Sequence, residues 1–122
     1  MLKQIKHLTN TFNVPSLQFL KSSSSAILTY NINNTIVSFI YFTITSIEHF
    51  GKVLKIEYIF THPDFRRQSL NLTLLNVLYN LAHILQITTI VVIPFTSSYS
   101  VPMLTKENFK QLQNTEIYYK VV

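Results

Sequence analysis

The chain has 122 residues, a formal net charge of +5 and no cysteine, so it suits one domain with a modest core and excludes disulfides and thiolate metal sites. It is 48% hydrophobic and only 12% charged, which excludes intrinsic disorder. Mean hydropathy is +0.25 and no formal charge falls between Gln68 and Thr105, but Leu72 to Ile93 carries Asn76, Asn80, His83, Gln86, Thr88 and Thr89, so no membrane span is expected.

"LKQIKHLTNTF" and "VPSLQFLKS" read as short helical pieces, with Pro15 at a helix start and Ser22 to Ser25 as a connection. The expectation is a single domain over 1–122, with an N-terminal helical segment 1–25 and a core 26–122. "AILTYNI" and "TIVSFIYFTITSI" are rich in β-branched and aromatic residues, and Asn33-Asn34 between them predicts a tight hairpin turn. The only glycine, Gly51, marks a second turn before a third strand, "KVLKIEYIFT". Ala26 to Thr61 is thus predicted to be an antiparallel meander, which Pro63 ends because it has no N–H to donate.

From Ser69 to Gln86 the period becomes helical. Leu70, Leu74, Val77, Leu78, Leu81, Ile84 and Leu85 make an apolar face. Ser69, Thr73, Asn76, Asn80 and His83 make a polar stripe. "TTIVVIPF" reads as a buried strand. "SSYSVPMLTKENF" reads as a short helix with Asn108 as a left-handed cap, and "EIYYKVV" as a last strand. The fold class is α/β (α+β): a mixed sheet with an antiparallel meander, a strand–helix–strand crossover, a short helix and a C-terminal strand. A parallel pairing of Thr88–Phe95 with the strand ending at Thr61 is expected.

Arg66 and Arg67 are the only adjacent basic residues; the lysines are scattered, which reads as solubility. A strand feeding a helix start aims several backbone N–H groups at one point, and the helix dipole adds positive potential there. "DFRRQSLN" therefore reads as a phosphate site with two arginines at its rim. A solvated turn with two ordinary surface arginines fits the same residues equally well. A clustered basic face for nucleic acid is not visible, and neither is a cluster of metal-ligand spacing.

"FTHPDFRRQSLNLTLLNVL" resembles the acetyl-CoA-binding motif of the GNAT acetyltransferases. Thr61-His62-Pro63-Asp64-Phe65 stands at its first part, and Arg66-Arg67-Gln68-Ser69-Leu70-Asn71 at its Gln/Arg-x-x-Gly-x-Gly/Ala segment. "MLTKENFK" resembles the later "LYEKLGFK"-like segment. The resemblance runs from about Ala26 to the C-terminus, with a shortened N-terminal part and no clear first strand. Ser69 and Asn71 replace both motif glycines, and Leu104 falls where many members have a tyrosine that protonates the leaving thiolate.

The resemblance implies an N-acetyltransferase that moves an acetyl group from acetyl-CoA to an amine by direct attack. Its acceptor would be a small molecule or a protein, with no metal and no nucleic acid, in the cytoplasm, and a homodimer is allowed. The start "MLKQIKHLTNTF" lacks a signal peptide's apolar core and cleavage site, in keeping with an intracellular setting. Pantetheine would pair with backbone groups near Ile59, Phe60 and Thr61. Amides of Arg67, Gln68, Ser69, Leu70 and Asn71 would hold the pyrophosphate beside Arg66. Glu57 is the candidate base, sharing its strand parity with Ile59 and Thr61; an exposed strand Glu facing water is the other reading. Tyr99 is the candidate acid in place of Leu104. The replaced residues also fit a catalytically degenerate GNAT-like domain that acts as a binding or interaction protein.

Overall fold

The computed structural model of the chain describes residues 15–19, 24–94 and 101–122, with the backbone alone for 15–19, Arg67, Gln68 and Val101. Among these, seven strands form one sheet in the order β1-β2-β3-β4-β5-β7-β6. β2 (Ser25–Ile32) and β3 (Thr35–Ile47) are joined by Asn33 and Asn34 at φ 52° and 65°. Two consecutive positive-φ residues define the primed turn whose twist matches the strands it joins. β4 (Gly51–Thr61) follows β3 antiparallel after a turn that holds His49 at φ 82° and Gly51 at φ 71°.

β1 (Pro15–Phe19) is a strand, not the helical piece that the sequence predicts. It pairs antiparallel with β2 from Pro15 opposite Tyr30 to Phe19 opposite Ala26. A five-residue run fits either period, and a helix that short is marginal in water. The open edge of β2 supplies backbone partners that an isolated helical turn lacks, and Pro15 sits at a strand start where no ladder donor is needed. The predicted helix "LKQIKHLTNTF" lies outside the described residues.

After β4, a 3₁₀ turn (Pro63–Gln68) leads into helix α1 (Leu70–Ile84). The helix ends with Gln86 at φ 59°, with Ile87 N–H donating to Ala82 O at 2.8 Å and Gln86 N–H to His83 O at 3.1 Å. This is a Schellman cap built without glycine. The chain then enters β5 (Thr89–Val92), parallel to β4, with all four residues buried. The break between α1 and β5 rules out one continuous helix from Leu72 to Ile93. Among the described residues no helix is long and apolar enough to cross a membrane. Helix α2 (Val101–Lys106) precedes β6 (Lys110–Gln111), a short edge strand absent from the sequence expectation, and β7 (Tyr118–Val121), which pairs antiparallel with β5. Asn108 takes φ 68° after α2, as predicted for its cap.

The core lies between the sheet and α1. Leu74, Leu75, Leu78, Leu81 and Ala82 of α1 meet Ile40 and Phe42 of β3 and Leu54 and Ile56 of β4. Leu75 belongs to this face although the sequence stripe omits it, and Ile84, placed on it, is 62% exposed. Ser69, Thr73, Asn76, Asn80 and His83 are exposed, as the polar stripe requires.

Candidate active site

β4 and β5 pair only from Leu54–Ile90 to Ile56–Val92. β4 then continues from Glu57 to Thr61, so the two strands part directly after Ile56. On its other side β4 stays paired with β3, and there the register slips. Tyr41 faces Tyr58 while Phe42 faces Ile56, so Glu57 is the extra residue of a β-bulge. A bulge bends its strand and raises the local twist, which accounts for the parting of β4 from β5 at this point.

The bulge also overturns the predicted parity. Ile59 is buried in the core, and Thr61 meets Ser38 on the same face. Glu57, displaced by the slip, instead reaches Lys55 Nζ at 3.2 Å. Lys55 lies between the core residues Leu54 and Ile56 and so points to the opposite face. On that face Phe39 stacks on Tyr58 with ring centroids 5.8 Å apart and meets Phe60 at a tilt with centroids 5.6 Å apart.

The end of β4 is fastened on the β3 side. His62 N–H donates to Val37 O at 2.7 Å, and buried Ser38 donates its hydroxyl to Phe60 O at 2.9 Å. Antiparallel ladders alternate, so Phe60's N–H and C=O turn toward β3 while those of Ile59 and Thr61 turn toward the opening. Phe60 is thus removed from the expected backbone partners there.

The loop carries the rest of the site. His62 Nδ1 accepts the Asp64 amide at 3.2 Å, capping the 3₁₀ turn. Arg66 Nε donates to Thr61 O at 3.1 Å, one of five guanidinium N–H donors, and so holds the arginine over the end of β4. The side chains of Arg67 and Gln68 lie outside the described residues, as does Tyr99. Ser69 takes φ 55° and ψ 32° as the cap of α1, with no side-chain cap hydrogen bond. Its carbonyl accepts Thr73 N–H at 3.1 Å. The left-handed backbone explains why the motif favours glycine here: a side chain costs about 1–2 kcal/mol in this region. Ser69→Gly should therefore raise stability by about 1 kcal/mol, because the strain relieved exceeds the added chain entropy. Denaturant unfolding reads this directly; a destabilised variant would show that the loop tolerates Ser69 without strain.

Asn71 replaces the second glycine differently. Its Oδ1 accepts the Leu72 N–H at 2.9 Å, one of the first-turn donors that a helix leaves without an internal partner. Leu104 is fully buried in the core, so the side chain at the usual tyrosine position of α2 faces the sheet. Sequence reasoning missed Lys55, whose spacing of two from Glu57 was the available signal. Among the described residues, no group of three or more His, Asp or Glu side chains comes together.

No protein-family model matches the chain, and no curated protein matches it. Solved structures do. A predicted acetyltransferase from Clostridium acetobutylicum, solved with acetyl-CoA, is 21% identical, with a TM-score of 0.68 over 90% of this chain and 71% of that one. The ribosomal-protein-alanine N-acetyltransferase of Brucella melitensis biovar Abortus 2308 is 18% identical, with a TM-score of 0.62 over 80% and 72%. A protein from Desulfovibrio desulfuricans named as a putative acetyltransferase of the GNAT family is 8% identical, with a TM-score of 0.65 over 82% and 70%. The chain therefore has the fold of the GNAT acetyltransferases. A strand that parts from its parallel neighbour at a bulge, and runs on into a loop and helix start, stands at the centre of this sheet.

Proposed function

We propose that the protein is a single-domain, acetyl-CoA-dependent N-acetyltransferase. The observation that carries this reading is the β4 edge from Glu57 to Thr61, which among the described residues has no strand paired with it on the β5 side and leads into the amides at the start of α1. One continuous surface then offers strand-type hydrogen bonds followed by an anion site. Ile59 and Thr61 pair with the pantetheine amides. The amides of Arg67 to Asn71 receive the pyrophosphate, and Arg66 adds charge at its rim. An acceptor amine attacks the thioester carbonyl, Glu57 takes the amine's proton directly or through water, and Tyr99 returns a proton to the thiolate.

Calorimetric titration with acetyl-CoA tests the reading. Binding should raise the melting temperature by mass action, and Arg66→Ala should weaken binding by about tenfold and flatten its salt dependence, because charge-assisted contacts contribute about 1.5–3 kcal/mol. An unchanged affinity would make Arg66 only a cap for β4.

Two observations favour a second reading, a non-catalytic domain of this fold: Leu104 is buried, and Asn71 holds a side chain against the helix start where the motif has glycine. Asn71→Gly separates the two. It removes the side chain that stands among the amides proposed for the pyrophosphate and should tighten acetyl-CoA binding several-fold, at about 1 kcal/mol of helix stability. Unchanged or weaker binding would show that the loop already accommodates the ligand or does not meet it. Tight acetyl-CoA binding without turnover on any amine would favour the second reading.

A further inference from the structure

Lys55 is the one lysine among the described residues in ion-pair contact with a carboxylate. Its backbone is bracketed by Thr43 on β3 and Val91 on β5, one residue before the last β4–β5 pair. Its side chain does not stay at that level. The 3.2 Å contact with Glu57 carries the ammonium forward to the first residue beyond the parting of the strands. Both side chains are mostly withdrawn from water, at 24% and 31% exposed. The described Lys52, Lys106 and Lys110 are exposed, and Lys120 lies over the Tyr79 ring at 4.1 Å.

We propose that Lys55 is a site of self-acetylation: its ε-amine is an acceptor that the fold already holds against Glu57 at the mouth of the β4–β5 opening. The inference rests on the acetyltransferase reading, since it needs acetyl-CoA bound in that opening. The chemistry balances without another reactant. The ammonium gives one proton to Glu57, which passes it to water. The freed nitrogen forms a bond to the thioester carbonyl carbon, and the carbon–sulfur bond breaks. CoA leaves as the thiolate and takes up one of the two protons left on the nitrogen, and the other stays as the amide N–H. The products are ε-N-acetyl-Lys55 and CoA thiol. The modified side chain gains an acetyl group and loses its charge, so the ion pair is lost and the Glu57 carboxylate is released to an incoming ammonium. Lys55 is in this respect both a first acceptor and a plug.

The test incubates the full chain with acetyl-CoA and follows intact mass and peptide mapping, with calorimetric titration in parallel. The expected result is one acetyl group per chain, on Lys55, added at least about tenfold faster than on any other lysine. Lys55→Arg should lose that label and still bind acetyl-CoA. Glu57→Gln, which cannot take the proton, should slow labelling of Lys55 by about tenfold or more. Label spread evenly over the lysines, or Lys55 labelled equally fast in Glu57→Gln, would be solution reactivity of a thioester and would overturn the proposal. Acetyl-CoA bound with Lys55 unmodified would overturn it while leaving the acetyltransferase reading in place. No binding and no label would remove both.

Discussion

Glu57→Gln should lower kcat by about 10²–10⁴-fold, the usual scale for loss of a general base, while acetyl-CoA binding stays largely intact. Glutamine matches glutamate in shape but accepts no proton. The bulge does not depend on the carboxylate, because the pairs Tyr41–Tyr58 and Phe42–Ile56 fix it through the backbone. The lost contact is a partly solvated ion pair with Lys55, and such pairs contribute at most about 1 kcal/mol. The melting temperature should therefore move little, and the effect should appear in turnover alone. Release of free thiol across a panel of amines measures it. A variant that keeps the parent's kcat would take Glu57 out of the chemistry and leave the site to work by positioning. A variant that loses acetyl-CoA binding as well would mean that the carboxylate shapes the opening rather than serving the reaction.

What was legible in the sequence is what local chemistry decides. Asn33-Asn34 encodes its turn because consecutive positive φ values are accessible to asparagine, and Pro63 ends β4 because it has no donor. The helix from Leu70 is legible because its period persists for four turns. β1 was not legible, because Pro15–Phe19 becomes a strand only through the free edge of β2, which lies elsewhere in the chain. The bulge was hidden for the same reason. Register is a relation between two strands, so no reading of β4 alone reveals that Glu57 is the extra residue. That one slip reverses the parity argument: Glu57 stays on the side of Lys55, two residues before it, while Ile59 and Thr61 fall on the core face. The glycine replacements are a mixed case. The motif position already marks Ser69 as a place for φ > 0, and the backbone has it at 55°. The Asn71 hydrogen bond to Leu72 was not foreseeable, since a position at which the motif has glycine gives no signal for a side-chain acceptor. Among the described residues seven non-glycine positions take positive φ, in a chain with a single glycine in its composition. Four of the seven are asparagines: Asn33, Asn34, Asn108 and Asn114. Asparagine pays less than most residues for that conformation, so much of the turn chemistry survives the loss of glycine.

The apex of the opening depends on a single aromatic residue, and its removal should have the largest effect on stability. Phe42 is fully buried, lies opposite Ile56 at the last pair before the bulge, and packs in the core with α1. Phe42→Ala should cost about 3–5 kcal/mol, the transfer term of the ring plus the cavity it leaves. Against a typical total of about 5–15 kcal/mol, this lowers the melting temperature by something on the order of 10–20 °C. Phe42→Leu keeps most of the volume and should cost less than about 1.5 kcal/mol. Denaturant unfolding of the three proteins gives the comparison, read at constant m so that a change in midpoint is a change in stability. The cavity sits where β3 and β4 change register, so Ile56 loses its cross-strand support and the angle at which β4 leaves β5 is no longer held. Acetyl-CoA, bound across that angle, should stabilise Phe42→Ala by fewer degrees than the parent at equal concentration, because part of its binding free energy must restore the opening. A loss below about 1 kcal/mol in Phe42→Ala would show that the ring is not a core anchor. An acetyl-CoA shift equal to the parent's would show that the bulge holds its geometry without it.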